Sequence, residues 1–395
     1  MDKTFSEKPV AAFVLPDLSN GGAERAFFNI AMHFHKAGMK VHILASLTGQ
    51  NVEKIPPEIK LFELGNTADT NSSSFLRVTN RIIKYLKVES PDVIICFSDY
   101  IDLSVMVAKK ITQAHFKLIV SQQYHISSFL KELPSKNKIL LRFIQKLWSS
   151  GANKIVAASD GVAKDIIINY KLKHLSKVTT IYNPIFEEKI LSLAEEFPSE
   201  NILFTGSTFK IITVGRLALQ KDHPVLLKAF KLFIEKVSNA VLYIVGTGPL
   251  EMSLKSMAIT LGIQEKVHFL GYKNNPYSYI AHSNLFVLSS LYEGFGNVLV
   301  EAMACGVNVV STDCPSGPSE ILSNGIYGYL CPVSNPQALC NAMQDSYNSP
   351  LPSKKLINRA KEFSIENNGE KYLQLANSII LLLIFFANII YLFSN

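Results

Sequence analysis

Two carboxylates and two glycines stand close together at residues 293–301, in the second half of the chain. Glu293 precedes a glycine-rich turn, and Glu301 lies in the apolar, helix-like run that follows it. Glycine permits a tight turn and close approach of a ligand to the backbone, and free N–H groups at a helix start attract anions. The pattern predicts that the backbone holds phosphates while the two carboxylates bind hydroxyl groups at two ends of a nucleotide sugar. The alternative is a plain turn followed by a solvated Glu301.

Two cations follow a strand-like run earlier in this half. Arg216 and Lys221 come after the apolar residues 210–215 and before a helix-like segment that begins near Pro224. A guanidinium and an ammonium at the carboxyl end of a strand suit a diphosphate. In sugar transfer they would stabilise the charge that develops on the departing phosphate. Taken alone, two basic loop residues can equally be solvated, which is the alternative.

The first strand-to-helix turn of the chain contains Gly21 and Gly22. It is not the G-x-G-x-x-G pattern of dinucleotide-binding proteins, and no Lys-Ser or Lys-Thr pair of a P-loop follows it. The two glycines place bare backbone at a helix start, where a phosphate or a sugar could approach. The turn therefore fits a nucleotide sugar better than a dinucleotide or ATP.

The elements that must position these residues follow an α/β pattern. Short apolar runs without polar alternation are separated by longer amphipathic stretches, which is typical of strands in a parallel sheet covered by helices on both faces. The predicted strands are residues 10–15, 41–46, 92–98, 117–122, 154–159, 210–215, 240–246, 267–271, 285–290 and 307–312. We expect two Rossmann-like domains with ligands at the carboxyl ends of the strands, and the cleft between such domains as the default site.

The predicted boundaries divide 395 residues into four parts. Residues 1–183 are expected to form an N-terminal domain that holds the acceptor, and residues 184–365 a C-terminal domain that holds the nucleotide sugar. The chain passes between them near an Asn-Pro dipeptide at Asn183. Residues 366–377 are expected to form a helix that returns to the N-terminal domain, and residues 378–395 form an apolar tail.

The glycine turn with its two glutamates, the two cations and the first glycine pair, in this arrangement, resemble glycosyltransferase family 4, the retaining enzymes with the GT-B fold. The resemblance covers about residues 10–375, and its most specific part is the Glu-x7-Glu pattern. It is closest to enzymes that extend polyprenyl-diphosphate-linked or cell-surface glycans, a softer likeness carried by residues 312–322.

The resemblance implies roles for individual residues. Glu301 binds the nucleotide ribose, Glu293 binds the donor sugar, and Arg216 and Lys221 bind the diphosphate. The backbone near Gly22 approaches the phosphates or the sugar. Further donor contacts are expected along the turn, from Gly294, Phe295, Gly296 and Asn297.

A catalytic, active-site histidine in the first domain is also implied by the resemblance, and His125 in the segment 122–128 is the best match. Its surroundings are not distinctive, so a structural histidine is an equal alternative. The family needs no metal, and no D-x-D motif or His/Cys cluster argues for one. We expect no cofactor.

The implied function is transfer of a hexose or N-acetylhexosamine from a nucleotide diphosphate sugar, with UDP as the expected nucleotide, to a lipid-linked or cell-surface glycan. No carboxylate is obviously poised as a nucleophile, so front-face displacement is expected. Two other functions stay open: a sugar-nucleotide epimerase of the same double-Rossmann architecture, and a non-catalytic nucleotide-sugar-binding protein.

Charge and hydropathy point to a membrane surface. The first 183 residues carry 24 Lys and Arg against 15 Asp and Glu, which favours an anionic partner on that side. Residues 135–150 read as a basic amphipathic helix with Trp148, which could lie on an anionic membrane or pack on the sheet. Residues 373–393 are about long and apolar enough to span a bilayer. A tail anchor or an embedded hairpin-like stub is therefore expected, with a buried core helix as the alternative.

The expected location is the cytoplasmic face of the inner membrane, with no nucleic acid among the partners. Five cysteines without C-x-x-C pairing read as reduced thiols inside apolar runs. Cys314 is interpreted as a small buried side chain rather than a nucleophile. The polar first ten residues do not read as a signal peptide.

Overall fold

A computed structural model of the chain describes residues 8–18, 21–49, 51–65, 72–170, 175–199 and 206–380. Contacts divide it into two units. The first unit contains Met1–Ala158, Val162–Pro184 and Ile365–Asn395, and the second contains Ser159–Gly161 and Ile185–Ser364. Each unit is built around one parallel β-sheet.

The first unit has a seven-stranded sheet in the order β3-β2-β1-β4-β5-β6-β7, with every pairing parallel. Its strands are β1 Val10–Asp17, β2 Lys40–Ser46, β3 Lys60–Glu63, β4 Val93–Cys96, β5 Lys117–Gln122, β6 Lys154–Ala157 and β7 Val178–Thr180. Its helices are α1 Gly22–Lys36, α2 Ser72–Val88, α3 Asp99–Thr112, α4 Ile126–Glu132, α5 Ser135–Gly151 and α6 Asp160–Tyr170.

The second unit has a six-stranded sheet in the order β10-β9-β8-β11-β12-β13, again parallel throughout. Its strands are β8 Phe209–Val214, β9 Ala240–Val245, β10 Val267–Gly271, β11 Leu285–Leu288, β12 Asn308–Thr312 and β13 Tyr329–Cys331. Its helices are α7 Glu188–Ala194, α8 His223–Ile234, α9 Glu251–Thr260, α10 Pro276–Ala281, α11 Asn297–Ala304, α12 Pro318–Ile321, α13 Pro336–Asn348 and α14 Ser353–Lys361.

Both faces of the first sheet are buried, which explains its unbroken apolar strands. Along β1, Phe13 and Leu15 belong to one core cluster, whereas Ala12 and Val14 belong to the cluster on the other face. A strand covered on both sides has no solvated face and therefore no polar alternation. The prediction of parallel, doubly covered sheets is confirmed.

The ten predicted strands are present, and the structure adds three that the sequence did not reveal. These are β3, β7 and β13, and each is the last strand at one edge of its sheet. They are three or four residues long and only partly buried. An edge strand packs against a neighbour on one side only, so it does not need the continuous apolar run by which the others were found.

The chain returns to the first unit after α14. Residues 365–369 form one turn of π-helix, and residues 370–380 continue as a helix. Tyr372, Leu373 and Ala376 enter the core cluster of α1 and β1, where the Tyr372 ring meets Phe27 edge-on at 6.1 Å. The Tyr372 hydroxyl and the Ser121 hydroxyl are hydrogen-bonded at 3.0 Å. The core of the first unit is thus completed by residues that follow the second unit in the chain, more than 180 positions after Pro184.

The tail predicted as a membrane anchor lies almost wholly outside the described residues, since residues 381–395 are not described. Within the described part of the chain, each helix is too short or too polar to cross a bilayer.

We predict that Tyr372→Ala destabilises the first unit by about 3–5 kcal/mol, because it removes a buried aromatic ring and its hydrogen bond. Trp148 is the only tryptophan and is fully buried in this unit, so its fluorescence during urea denaturation reports the effect. Gln374→Ala, on the exposed side of the same helix, should shift stability by less than about 0.5 kcal/mol. Equal shifts for both variants would show that the returning helix contributes no packing.

Candidate functional site

The candidate site of the second unit lies where its strand order reverses. Strand β8 pairs with β9 on one side and with β11 on the other. At such a reversal the helices that follow the two strands run to opposite faces of the sheet, and ligands generally bind in the crevice at the carboxyl ends of the strands. Arg216 and Lys221 lie in the loop after β8, and Glu293 lies in the loop after β11. The topology brings together residues that are more than 70 positions apart in the sequence.

These two loops are joined by backbone and side-chain hydrogen bonds. The Leu291 N–H donates to the Gln220 carbonyl at 2.7 Å, and the Gln220 amide donates to the Tyr292 carbonyl at 3.0 Å. The Ser289 hydroxyl donates to the Lys221 carbonyl at 2.7 Å. The position of Lys221 relative to Glu293 is therefore fixed by backbone contacts as well as by charge.

The centre of the site is an ion pair between Lys221 and Glu293. The Lys221 Nζ atom donates to Glu293 Oε1 at 2.6 Å, and the Ser290 hydroxyl donates to the same oxygen at 2.6 Å. The side chains are only 16% and 8% exposed. At this burial, removing one partner would leave an uncompensated charge, which costs far more than losing a surface pair.

Arg216 differs from its neighbour. Its side chain is exposed, and the guanidinium forms no hydrogen bond or ion pair with the residues that the structure describes. Its backbone carbonyl accepts the Ala218 N–H at 2.9 Å, and the neighbouring Leu217 N–H donates to the Thr247 carbonyl at 2.9 Å. Arg216 thus offers an exposed guanidinium on the same loop as Lys221.

Glycines after β9 permit this loop packing, and the sequence analysis did not single them out. A Cβ atom on Gly246 would lie 2.0 Å from the Gly215 carbonyl oxygen, and one on Gly248 would lie 2.4 Å from the Leu217 carbonyl oxygen. Gly246 also has φ of +132°. The available signal was the pair of glycines two residues apart directly after a strand.

The glycine-rich turn leads into α11 as predicted. Gly296 precedes the helix with φ of +99°, a conformation that favours glycine, and Asn297 is the first helical residue. Glu301 lies one turn later and is only 5% exposed. The alternative of a solvated Glu301 is therefore wrong.

A third loop, after β12, packs against the glycine-rich turn. The Glu293 N–H donates to the Pro315 carbonyl at 3.3 Å. Gly317, with φ of +95°, lies against the Phe295 carbonyl so closely that a Cβ atom there would be 1.8 Å from that oxygen. The Phe295 ring is buried and meets Phe363 at 5.3 Å. The segment singled out by sequence likeness thus has a clear packing role.

The cysteines of the chain are free thiols, and all but Cys305 are buried. Cys314, in the loop after β12, is 2% exposed, and burial raises the pKa of its thiol. A protonated, buried thiol is a poor nucleophile. The interpretation of Cys314 as a small buried side chain is confirmed.

His223, the first residue of α8, is an isolated buried histidine. It is 1% exposed, and its Nδ1 atom has no hydrogen-bond partner among the described residues. Burial, with a smaller contribution from the Lys221 ammonium, lowers the pKa of His223 to about 4. The imidazole is therefore neutral at physiological pH.

In the first unit, Gly21 and Gly22 lie at the start of α1 as predicted, and both are exposed. The space beside Gly21 is occupied by the Glu24 carboxylate, which a Cβ atom would meet at 2.1 Å. Burial raises the pKa of Glu24. The two exposed glycines therefore leave bare backbone at the start of α1, with the Glu24 carboxylate beside Gly21.

His125 caps α4. Its Nδ1 atom accepts the Ser128 N–H at 3.2 Å, and its Nε2 atom lies 3.6 Å from the Asp165 carboxylate. Burial lowers the pKa of His125, although the Asp165 charge opposes this shift. Both ring nitrogens therefore face groups of the protein. Among the described residues, no group of three or more His, Cys, Asp or Glu side chains could hold a metal ion.

Two family models match the chain, one in each half. The model described as Glycosyltransferase Family 4 matches residues 20–189, and the model described as Glycosyl transferases group 1 matches residues 195–363. Together they contain every predicted site residue.

Relatives and a solved structure agree with these matches. An uncharacterized glycosyltransferase of Methanocaldococcus jannaschii is 34% identical over 258 residues, which is 62% of either chain. An N-acetylgalactosamine-N,N'-diacetylbacillosaminyl-diphospho-undecaprenol 4-alpha-N-acetylgalactosaminyltransferase of Campylobacter jejuni is 28% identical over 369 residues, 90% of this chain and 97% of the relative. The crystal structure of Anabaena HepE in complex with UDP is similar in fold, with a TM-score of 0.72, 19% identity, and coverage of 93% of this chain and 99% of that one.

We predict that His223 makes the second unit sensitive to acid. Because its folded pKa of about 4 lies below the unfolded value of 6.5, the unfolded chain binds the proton first, and stability falls as pH drops from about 6.5 toward 4. The loss from pH 7 to pH 5 should be about 2 kcal/mol. Hydrogen exchange of second-unit peptides in urea measures it, and His223→Gln should remove this part of the pH dependence. An unchanged pH dependence in the variant would contradict the assignment.

Proposed function

The chain belongs to glycosyltransferase family 4 and has the GT-B fold, and from this premise we propose a specific reaction. The protein moves a hexose or N-acetylhexosamine from a UDP-sugar to a lipid-linked or cell-surface glycan, with retention of configuration at the anomeric carbon. The observation that carries the proposal is the buried Lys221–Glu293 pair beside the free Arg216, at the point where strand order reverses.

The two cations would bind the diphosphate in different ways. The Lys221 ammonium has three N–H donors, and one of them donates to Glu293. It can therefore donate a second hydrogen bond to a phosphate oxygen while it stays paired with Glu293. Arg216 has no competing carboxylate among the described residues and can offer its planar donors to two phosphate oxygens. The first N–H groups of α11, after Gly296, supply a third positive element on the same edge of the sheet.

The carboxylates would position the two ends of the donor. Glu301 is held on α11, one turn from its start, where a ribose attached to the bound diphosphate could reach it. Glu293 is oriented by Lys221 and Ser290, which leaves its second oxygen for a sugar hydroxyl. The turn residues Gly294, Phe295, Gly296 and Asn297 present backbone between them.

The proposed chemistry is front-face displacement. The bond between the anomeric carbon and the diphosphate oxygen breaks, and the acceptor oxygen bonds to the same face of that carbon. The leaving phosphate takes the proton of the acceptor hydroxyl, so neither a protein nucleophile nor a metal is required. Lys221, Arg216 and the start of α11 stabilise the charge that develops on the phosphate, which is the main source of rate.

The first unit is proposed to receive the acceptor. The family resemblance assigns the exposed backbone at Gly21 and Gly22, at the carboxyl end of β1, to the phosphates or the sugar of the donor. For His125 the geometry favours a positioning role, since the ring that caps α4 has both nitrogens directed at protein groups. It would hold the loop after β5 rather than move a proton.

Donor and acceptor classes rest on the relatives. The Anabaena structure contains UDP, and the name of the Campylobacter relative specifies N-acetylgalactosamine transfer to a diphospho-undecaprenol-linked glycan. A lipid-linked acceptor would place this protein at the cytoplasmic face of the inner membrane.

We predict that Lys221→Gln with Glu293→Gln lowers kcat/KM for sugar transfer by at least about 100-fold, the usual effect of losing charge stabilisation at a reacting centre. The double change leaves no unpaired buried charge, so thermal unfolding should stay close to that of the wild type. Lys228→Gln, on the exposed face of α8, is the matched control and should keep full turnover.

Turnover is measured with a UDP-sugar panel, with and without a polyprenyl-diphosphate-linked glycan. Wild-type turnover in the double variant would refute the site. Epimerised nucleotide sugar formed without acceptor would instead identify an epimerase, and nucleotide binding without any transfer would identify a binding protein.

A further inference from the structure

The outer face of α5 exposes more apolar surface than a solvated helix needs. Ile139 is 73% exposed, Leu140 59%, Phe143 60% and Leu147 38%. Ile139, Phe143 and Leu147 are spaced by four residues and therefore form one row along the helix, with Leu140 beside it. The row extends for about 12 Å. A clustered set of this kind, unlike scattered exposed apolar residues, indicates an interaction surface.

A second row, of cations, runs parallel to the first. Lys138, Arg142 and Lys146 have the same spacing of four residues, displaced by one position, and Lys136 lies at the beginning of the helix. The helix contains no acidic residue, and none of its four cations forms an ion pair with the described residues. One face of α5 thus combines an apolar row with an unneutralised positive row.

The rotation of α5 about its axis is fixed by its inner face. The Trp148 indole N–H donates to the Asp99 carboxylate at 2.9 Å, and the Gln145 amide donates to the Tyr124 hydroxyl at 3.1 Å. Trp148 is fully buried and Ile144 packs against the same core. Of the two alternatives for residues 135–150, Trp148 follows packing on the sheet: it anchors the helix there, while the opposite face of the helix stays exposed.

We propose that the outer face of α5 docks on an anionic lipid surface. Apolar side chains would enter the boundary between headgroups and acyl chains, and the cation row would lie among the anionic headgroups. A second copy of the chain fits poorly, because a two-fold contact through this face would bring the two cation rows together. The apolar tail offers no counter-charge, since no charged side chain follows Lys371.

The proposal that α5 docks on lipid is argued from the exposed side chains of α5 alone. The benefit of docking for catalysis rests on the proposed function. A bilayer-embedded acceptor confines the reaction to the membrane surface, so a docked enzyme meets it at a high effective concentration. Loss of docking should then impair transfer to a long-chain lipid acceptor in vesicles but not to a short-chain, water-soluble analogue.

The test is co-flotation of the full chain with phosphatidylcholine vesicles and with vesicles containing 30% phosphatidylglycerol. We expect the wild type to bind the anionic vesicles at least about tenfold more tightly, given the attraction of each cation to such surfaces. A variant with all four α5 cations changed to glutamine should lose this preference. The four residues are Lys136, Lys138, Arg142 and Lys146. Phe143→Ser with Leu140→Ser should weaken binding to the anionic vesicles by at least about tenfold through loss of buried apolar area.

The matched control removes the same charge from exposed positions of the second unit by changing four lysines to glutamine: Lys189, Lys228, Lys236 and Lys354. It should keep the lipid preference, which separates a local surface from overall charge. Binding through the uncharged tail would be equal for the two vesicle types. The difference in binding between anionic and neutral vesicles therefore reports α5 and not the tail.

The proposal is overturned if the α5 charge variant keeps the preference, or if the control loses as much. It is also overturned if the α5 variants change the oligomeric state without changing lipid binding, because the face would then join copies of the chain. Failure of transfer with every acceptor would sink the proposed function while leaving the flotation result intact.

Discussion

The buried carboxylate of Glu293 is the constraint on which the second unit's site depends. A carboxylate at this depth requires donors, and it finds them in Lys221 from the loop after β8 and Ser290 from its own loop. The same demand fixes the spacing of the two loops at the point where the strand order reverses. The loop after β8 also contains Arg216, and the chain after β11 also contains Gly296 and Glu301. The order of the strands therefore positions the site as much as the contacts of its side chains do.

The sequence predicted ten of the strands and the glycine turn before α11 because both leave strong local signals. Doubly covered strands must be continuously apolar, and a turn before a helix must contain glycine where φ is positive. The structure added what depends on distant partners: the short edge strands β3, β7 and β13, the loop after β9 that Gly246 and Gly248 allow to pack closely, and the direct contact between Lys221 and Glu293. No spacing of four or eight residues could reveal a pair 72 positions apart.

The same distinction explains what changed for His125 and Trp148. Sequence identifies a histidine near a strand end and a tryptophan on a basic helix, but roles depend on which way each ring points. His125 turns its Nδ1 atom toward the start of α4, and Trp148 turns its N–H toward the buried Asp99. Burial raises the pKa of Asp99, while the donors around it oppose the shift. In the first unit, buried polar anchors thus decide which surfaces remain exposed.

The central claim is that Arg216 and the Lys221–Glu293 pair form the binding site for a nucleoside diphosphate. Thermal unfolding with UDP, GDP and ADP tests it most directly, because a ligand that binds only the folded state stabilises it by mass action, about 2.7 kcal/mol at 100 times Kd. The account predicts that UDP raises the Tm most, and that Arg216→Gln removes most of the rise without lowering the Tm of the free protein. An equal rise in wild type and variant, or none with any nucleotide, would contradict it.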